Sequence, residues 1–196
     1  MNKYLAHSTY IDWQDPDVFA EARGLAGGLH EHQDIARKCF EFVRDEIRHS
    51  WDYQSNPVTC KASAVLRFGT GYCYAKSHLL AALLRANGIP AGLCYQRLAI
   101  TEGPPFCLHG LTAIYLKEFG WYRADARGNK PGVASAFCPP IEQLAFRAKN
   151  PGEADLPEIW AEPIPMVVDV LINSKTYQDV ADNLPDIEIF NPHTAM

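Results

Sequence analysis

The segment LRFGTGYCYAKSHLLAALLRANGIPAG, residues 66–92, places Cys73 directly after a Gly-Thr-Gly turn and at the start of a long apolar run. The run ends at Gly88 and Pro90, residues typical of a helix end, so the pattern predicts a helix that begins at Cys73. Unpaired backbone N–H groups and the helix dipole favour a thiolate at such a position, and a thiolate is a nucleophile. Cysteine is also among the most frequently buried residues, so packing alone is a second explanation for Cys73.

A thiolate nucleophile needs a base, and the base needs a partner that orients it. His109 lies at the start of the second of three predicted strands, in CLHGLTAIYL, and Asp125 lies at the end of the third, in GWYRAD. Cysteine, histidine and aspartate in these places have the residue types of a Cys-His-Asp triad. Taken one at a time, His109 and Asp125 could equally be a core histidine and a turn residue.

The two side chains must share one face of the sheet. Side chains alternate along strands, so sharing a face requires a connecting loop with an odd number of residues or a bulge. A loop formed by Glu118, Phe119 and Gly120, with Gly120 left-handed, meets that requirement. It still leaves His109 and Asp125 offset along the strands.

The elements that must position these residues follow in two blocks. Apolar periodicity and capping signals predict helices first, and runs rich in β-branched and aromatic residues predict strands afterwards. The predicted helices are 15–28, 34–51, 61–68 and the Cys73 helix; the predicted strands are 91–100, 110–116 and 120–125. Helices followed by an antiparallel sheet indicate an α+β fold.

Composition and charge exclude several classes of protein. The 196 residues are 47% hydrophobic and 21% charged, which is typical of one globular domain. A net charge of −5 predicts neither a nucleic-acid partner nor an anionic membrane surface. No apolar run is long enough to span a membrane, and the N-terminus lacks the apolar core of a secretory signal. The six cysteines are therefore expected to be reduced, and the cytoplasm is the predicted location.

Taken together, SAVLRFGTGYCYAKSHLLAALLRANGIPAG, His109 and GWYRAD resemble the core of the transglutaminase-like superfamily. The resemblance covers residues 35–130, so we expect one domain, 1–196, with that core and a C-terminal extension, 131–196. It implies a papain-like α+β fold, with the nucleophile helix packed on an antiparallel sheet, and a catalytic triad of Cys73, His109 and Asp125.

The implied activity is cysteine-dependent acyl chemistry without a cofactor. Hydrolysis of a peptide or amide bond through a thioester is the expected reaction. The alternatives are a transglutaminase-type or N-acyl transferase and an inactive peptide-binding module, although nothing in the sequence marks a coenzyme A site. Gly110-Leu111 and Ala126-Arg127 depart from the Ala-Trp and Pro-Thr pairs common in the family, which leaves the substrate open.

Other polar residues receive smaller roles. Tyr53 and Gln54, in the loop upstream, are the candidate oxyanion donors besides the backbone of Cys73. Cys107 and His109 have no accompanying ligand cluster, so no metal site is predicted. His78 lies about 140° around the helix from Cys73, too far to act as its base. Solvated positions are expected for the three remaining helix-associated histidines: His30, His32 and His49.

Overall fold

The computed structural model describes residues 1–188; the last part of the predicted extension, 189–196, lies outside the described residues. The helices are α1 Pro16–Leu25, α2 His32–Glu46, α3 Ser50–Tyr53, α4 Ala62–Phe68, α5 Cys73–Ala86, α6 Pro165–Asn173 and α7 Tyr177–Asp182. The strands are β1 Arg48–His49, β2 Thr70–Gly71, β3 Ala91–Ala99, β4 Phe106–Leu116, β5 Gly120–Ala124, β6 Ala136–Cys138, β7 Ile141–Gln143 and β8 Ala154–Asp155.

The early helices follow their capping signals. The Asp15 side chain accepts hydrogen bonds from the backbone of Asp17 and Val18 at the start of α1, and Gly69 ends α4 with a left-handed φ of 62°. The predicted helix 34–51 is too long, because α2 ends at Glu46 and the next residues form β1. A parallel pairing with β2 replaces the helical hydrogen bonds there, and a contact between segments so distant in sequence leaves no local signal.

Helix α5 forms the centre of the molecule. Every residue of this helix except the last, Ala86, is buried, including four polar side chains. Each of the four bonds a backbone carbonyl oxygen: Lys76 that of Ile47, Ser77 that of Cys73, His78 that of Cys60, and Arg85 that of Ala91. Each of these four buried polar side chains therefore has a backbone carbonyl oxygen as a hydrogen-bond partner.

A four-stranded antiparallel sheet, in the order β5-β4-β3-β8, packs against α5. This helix-on-sheet arrangement is the predicted α+β architecture. Strand β4 begins at Phe106, four residues earlier than predicted, because all nine residues of β3 pair with it. The C-terminal extension contributes β8, and Trp160 pairs with Leu93 of β3, so the extension packs directly on the core.

Arg85 joins three distant segments at the C-terminal end of α5. Its guanidinium is 2% exposed and donates hydrogen bonds to the carbonyl oxygens of Ala6, Ala91 and Ala161. The N-terminal segment, the start of β3 and the C-terminal extension therefore meet at one side chain. Arginine suits this position because its planar donors fan out towards several acceptors.

We expect Arg85→Met to lower the free energy of unfolding by about 3 kcal/mol, because it leaves three carbonyl oxygens without their donor. Urea denaturation followed by circular dichroism measures the change. Arg67→Met is the matched control, since Arg67 is exposed on α4 and a surface change of this kind costs about 0.5 kcal/mol or less. Equal stability of the two variants would contradict the structural role of Arg85.

Candidate active site

Cys73 is the first residue of α5, as the sequence predicts, and its thiol contacts the sheet. The backbone N–H of Gly110 in β4 points at the Cys73 sulfur, with 3.4 Å between nitrogen and sulfur. Glycine is favoured at 110 because a Cβ there would lie 3.0 Å from both Cα and Cδ1 of Tyr74, tighter than most Cβ contacts. Gly110 thus lets the first turn of α5 approach β4 closely enough for this contact.

His109 and Asp125 meet across the β4–β5 hairpin. Leu116 pairs with Gly120, so the connecting loop has three residues, Lys117 to Phe119, one position earlier than predicted. Gly120 has the expected left-handed φ, 76°. Continuing the register places Asp125 opposite Leu111, two residues from His109 and therefore on the same face.

The shift by one position reduces the offset between the two side chains. With the predicted loop, Asp125 would lie opposite Ala113, four residues from His109. In the observed register the two residues are diagonal neighbours, a separation that long side chains bridge. The distance between Nε2 of His109 and Oδ2 of Asp125 is 2.8 Å.

The carboxylate of Asp125 is buried and fully used. It accepts hydrogen bonds from the backbone N–H groups of Arg127, at 3.1 Å, and Ala145, at 3.0 Å, besides the His109 ring. Burial acts to raise the pKa of Asp125, but the charge of His109 and these hydrogen bonds outweigh it and lower the pKa. Asp125 is therefore ionised beside His109.

The pKa of His109 moves in the opposite direction. Burial acts to lower it, but the charge of Asp125 and the interaction with the Cys73 thiol raise it to about 10. Because Nε2 bonds Asp125, Nδ1 is the ring nitrogen left to interact with Cys73. The edge of the Phe146 ring covers the imidazole, with 5.1 Å between ring centroids. The site thus favours an imidazolium between a carboxylate and a sulfur atom.

A cavity of about 730 Å³ has Cys73 and His109 in its wall. The apolar residues of its lining include Leu98, Ile100, Leu108, Leu144, Phe146 and Leu184. The polar residues of its lining include His49, Arg127, Asn150, Glu153, Gln178 and Asp182. Several of these residues lie in the C-terminal extension, outside the segment that carries the sequence motif. The cavity is large enough for a peptide side chain and its neighbouring amide groups.

The structure does not bring the two candidate oxyanion side chains to this cavity. Tyr53 is 62% exposed, and its ring lies against the guanidinium of Arg48. Gln54 is also exposed and follows α3 in a left-handed conformation, with φ of 49°. Neither lines the cavity at Cys73.

His49 is the residue that the sequence analysis missed. It was expected to be solvated, which is wrong: it is 6% exposed and lines the cavity with Cys73. The predicted helix 34–51 included His49, whereas in the structure the β1–β2 pairing places it beside Gly71 and turns its side chain inward. The alternation of Ile47 and His49 is compatible with a strand but too short to be a signal. His30 and His32 are exposed, as expected.

The other thiols have different surroundings. Burial raises the pKa of Cys39, Cys60, Cys94 and Cys107 to about 12, so these thiols stay protonated.

Within residues 1–188, no three His, Cys, Asp or Glu side chains are grouped so that they could hold a metal ion. No helix in that range is long and apolar enough to cross a membrane.

Comparison with known proteins adds a family match. The model of the transglutaminase-like superfamily matches residues 20–126, a range that contains Cys73, His109 and Asp125. A search of curated proteins finds no match to the chain.

Among solved structures, a "Putative Cysteine Protease" from Cytophaga hutchinsonii aligns with a TM-score of 0.51 and 21% identity, over 63% of this chain and 40% of that one. The periplasmic domain of TgpA from Pseudomonas aeruginosa aligns with a TM-score of 0.47 and 19% identity, over 63% of this chain and 45% of that one. The chain thus spans less than half the length of either protein. The likeness to the first of these structures shows the fold, which is the predicted papain-like α+β fold.

We expect Gly110→Ala to slow alkylation of Cys73 by iodoacetamide at pH 6 about tenfold. The added methyl group forces β4 and the first turn of α5 apart, so the thiolate loses the Gly110 N–H. Mass spectrometry of the Cys73 peptide over time gives the rate. Gly103→Ala is the control, because a Cβ at Gly103 meets nothing within 4 Å. Alkylation of Gly110→Ala at the wild-type rate would show that this contact is unimportant.

The raised pKa of His109 predicts a pH-dependent difference in stability between wild type and His109→Gln. The folded protein holds a proton on His109 up to about pH 10, whereas the unfolded chain loses it near pH 6.5. This stabilisation is complete below pH 6.5 and is lost as the pH rises towards 10, by at most about 1.4 kcal/mol per pH unit.

Taking the difference between the two proteins is necessary because burial lowers the pKa of Lys76 to about 7. The titration of Lys76 raises the free energy of unfolding over nearly the same pH range. This contribution is present in both proteins, so it cancels in the difference between them. Urea denaturation from pH 6 to pH 10 gives the two curves. The exposed His32→Gln variant should show a constant difference from wild type, and a constant difference for His109→Gln would rule out the charged His109.

Proposed function

Because the chain belongs to the transglutaminase-like superfamily and has the fold of papain-like cysteine enzymes, we propose that it hydrolyses a peptide or amide bond through a thioester at Cys73. The observation that carries the proposal is the position of His109. Its Nε2 lies 2.8 Å from Asp125, its other side interacts with the Cys73 thiol, and both Cys73 and His109 line one cavity. The three side chains thus have the spatial order of a nucleophile, a base and an orienting carboxylate.

In the proposed acylation step, the Cys73 sulfur attacks the carbonyl carbon of a substrate in the cavity. The N-terminal N–H groups of α5, beginning with that of Cys73, are directed towards the negative charge that develops on the carbonyl oxygen. His109 transfers its proton to the departing amine, and the C–N bond breaks. Asp125 holds the imidazole in the orientation that this transfer requires.

In the deacylation step, water replaces the amine. His109 removes a proton from the water as its oxygen bonds to the acyl carbon, and the C–S bond breaks to release the acid. The same triad could pass the acyl group to an amine. The wide cavity, with both polar and apolar side chains in its lining, favours water as the acceptor, because it leaves the thioester open to solvent.

We expect Cys73→Ala to lose both turnover and acyl labelling without a large change in melting temperature. A set of acyl p-nitroanilides, with and without an added primary amine, measures turnover, and mass spectrometry detects the thioester on Cys73. Cys138→Ala is the matched control, since its thiol is exposed and lies outside the cavity.

Release of free acid that the amine does not divert supports a hydrolase. A dominant amide product would instead identify a transferase. The peptide-binding alternative would be favoured by peptide binding without turnover or labelling of the wild type.

A further inference from the structure

His49 is a second histidine in the cavity, and the triad chemistry leaves it unused. The residue is 6% exposed, and its Nδ1 is a buried nitrogen without a hydrogen-bond partner among residues 1–188. A buried polar atom without a partner is costly, so its retention beside a nucleophile suggests a role in binding or chemistry.

The backbone places His49 next to the nucleophile. In the β1–β2 pairing His49 is the partner of Gly71, two residues before Cys73. Its ring packs edge-on against Tyr72, the residue before Cys73, with 5.4 Å between ring centroids. Both histidines, His49 and His109, line the same cavity as Cys73.

A chain of contacts joins His49 to His109 through Asp52, Arg127 and Phe146. Asp52 lies 3.7 Å from Nδ1 of His49 and holds the Arg127 guanidinium through both carboxylate oxygens, at 2.6 and 3.1 Å. The guanidinium carbon of Arg127 lies 5.6 Å from the centre of the Phe146 ring, which in turn covers His109. Arg127 lines the cavity, as both imidazoles do.

The surroundings of His49 decide where its proton lies. Burial holds the pKa of His49 well below its ordinary value, and the neighbouring cations Arg127 and Lys76 also lower it, so the ring is neutral. Arg127 and Lys130 keep Asp52 ionised, with a pKa of about 2. The negative charge of Asp52 beside Nδ1 favours the proton on that nitrogen.

Nε2 then carries a lone pair. It has no hydrogen-bond partner within residues 1–188, and unlike Nδ1 it is not among the buried unpaired atoms, so it is an accessible nitrogen on a residue that lines the cavity. A neutral imidazole nitrogen of this kind accepts a hydrogen bond and does not donate one.

We propose that Nε2 of His49 accepts a hydrogen bond from the N–H of the scissile amide during acylation, and from the attacking water during deacylation. The inference rests on the proposed hydrolase function and adds a substrate class: secondary amides, which carry this N–H, in preference to esters. The leaving nitrogen receives its new proton from His109 while its own N–H stays bonded to His49.

Deacylation follows the same arrangement. One O–H of the water gives its proton to His109 as the oxygen bonds to the acyl carbon, and the other O–H points at His49. The C–S bond breaks with its electron pair on sulfur, and the proton on His109 neutralises the thiolate or stays with it as an ion pair. The products are the free acid and the regenerated Cys73–His109 pair.

The test compares two donors with the same acyl group, a p-nitroanilide and a p-nitrophenyl ester, on the full chain. The ester has no N–H at the leaving atom, so its burst reports acylation that does not use His49, and its steady state reports deacylation. His49→Asn is expected to lower two ratios about tenfold: kcat/KM for the anilide relative to the ester burst rate, and the deacylation rate relative to the same burst.

Each ratio is measured within one protein, and all rates are expressed per active site counted by the amplitude of the ester burst, so a change in the folded fraction is corrected for. His49→Gln carries an amide oxygen that reaches the position of Nε2, whereas the shorter asparagine does not, so glutamine should restore most of both ratios. His32→Asn makes the same chemical change at an exposed position on α2 and should leave both ratios as in wild type.

The outcomes separate the inference from the proposed function. Unchanged ratios in His49→Asn overturn the inference while the hydrolase function stands. A fall in every rate by one factor also overturns it, because a donor to the oxyanion or a structural residue acts on acylation and deacylation alike. Absence of any ester burst and of any acyl adduct on wild-type Cys73 overturns the proposed function and the inference together.

Discussion

The burial of helix α5 is the constraint on which the rest of the structure depends. A helix that is buried along its length must find a partner for each polar side chain it carries. Helix α5 does so largely with carbonyl oxygens of five other segments, at Ala6, Ile47, Cys60, Ala91 and Ala161. Lys76 donates a hydrogen bond at the end of α2, and Arg85 donates hydrogen bonds to both the N-terminal segment and the C-terminal extension. These bonds fix the helix along its axis and around it, so the position of Cys73 at its first turn follows from packing at a distance.

The sheet completes the site through one close contact and one strand register. Gly110 admits the first turn of α5 against β4, and the three-residue β4–β5 loop sets the register that brings Asp125 within reach of His109. A register change of one residue would turn the Asp125 side chain to the other face of the sheet. The geometry of the candidate triad is therefore a property of strand pairing as much as of the three residues themselves.

The C-terminal extension contributes to the site although it carries none of the motif. The backbone N–H of Ala145 bonds the Asp125 carboxylate, and Phe146 covers the His109 ring. The extension is held on the core by the pairing of Trp160 with Leu93 and by Arg85. The same segment shields the ion pair from water, which strengthens the electrostatic interaction between His109 and Asp125.

Local sequence determined the helix start at Cys73, the capped ends of α1 and α4, and which segments form the main strands. It also determined the residue types of the candidate triad. Caps, turns and periodicity act over a few residues, so a local pattern records them. It could not determine the one-residue shift of the β4–β5 loop, since a three-residue loop satisfies the same alternation at either position. Nor could it place His49, whose inward position depends on a two-residue pairing with a segment about twenty residues away. Contacts between distant segments decided these features, because their energy comes from partners that no local pattern records.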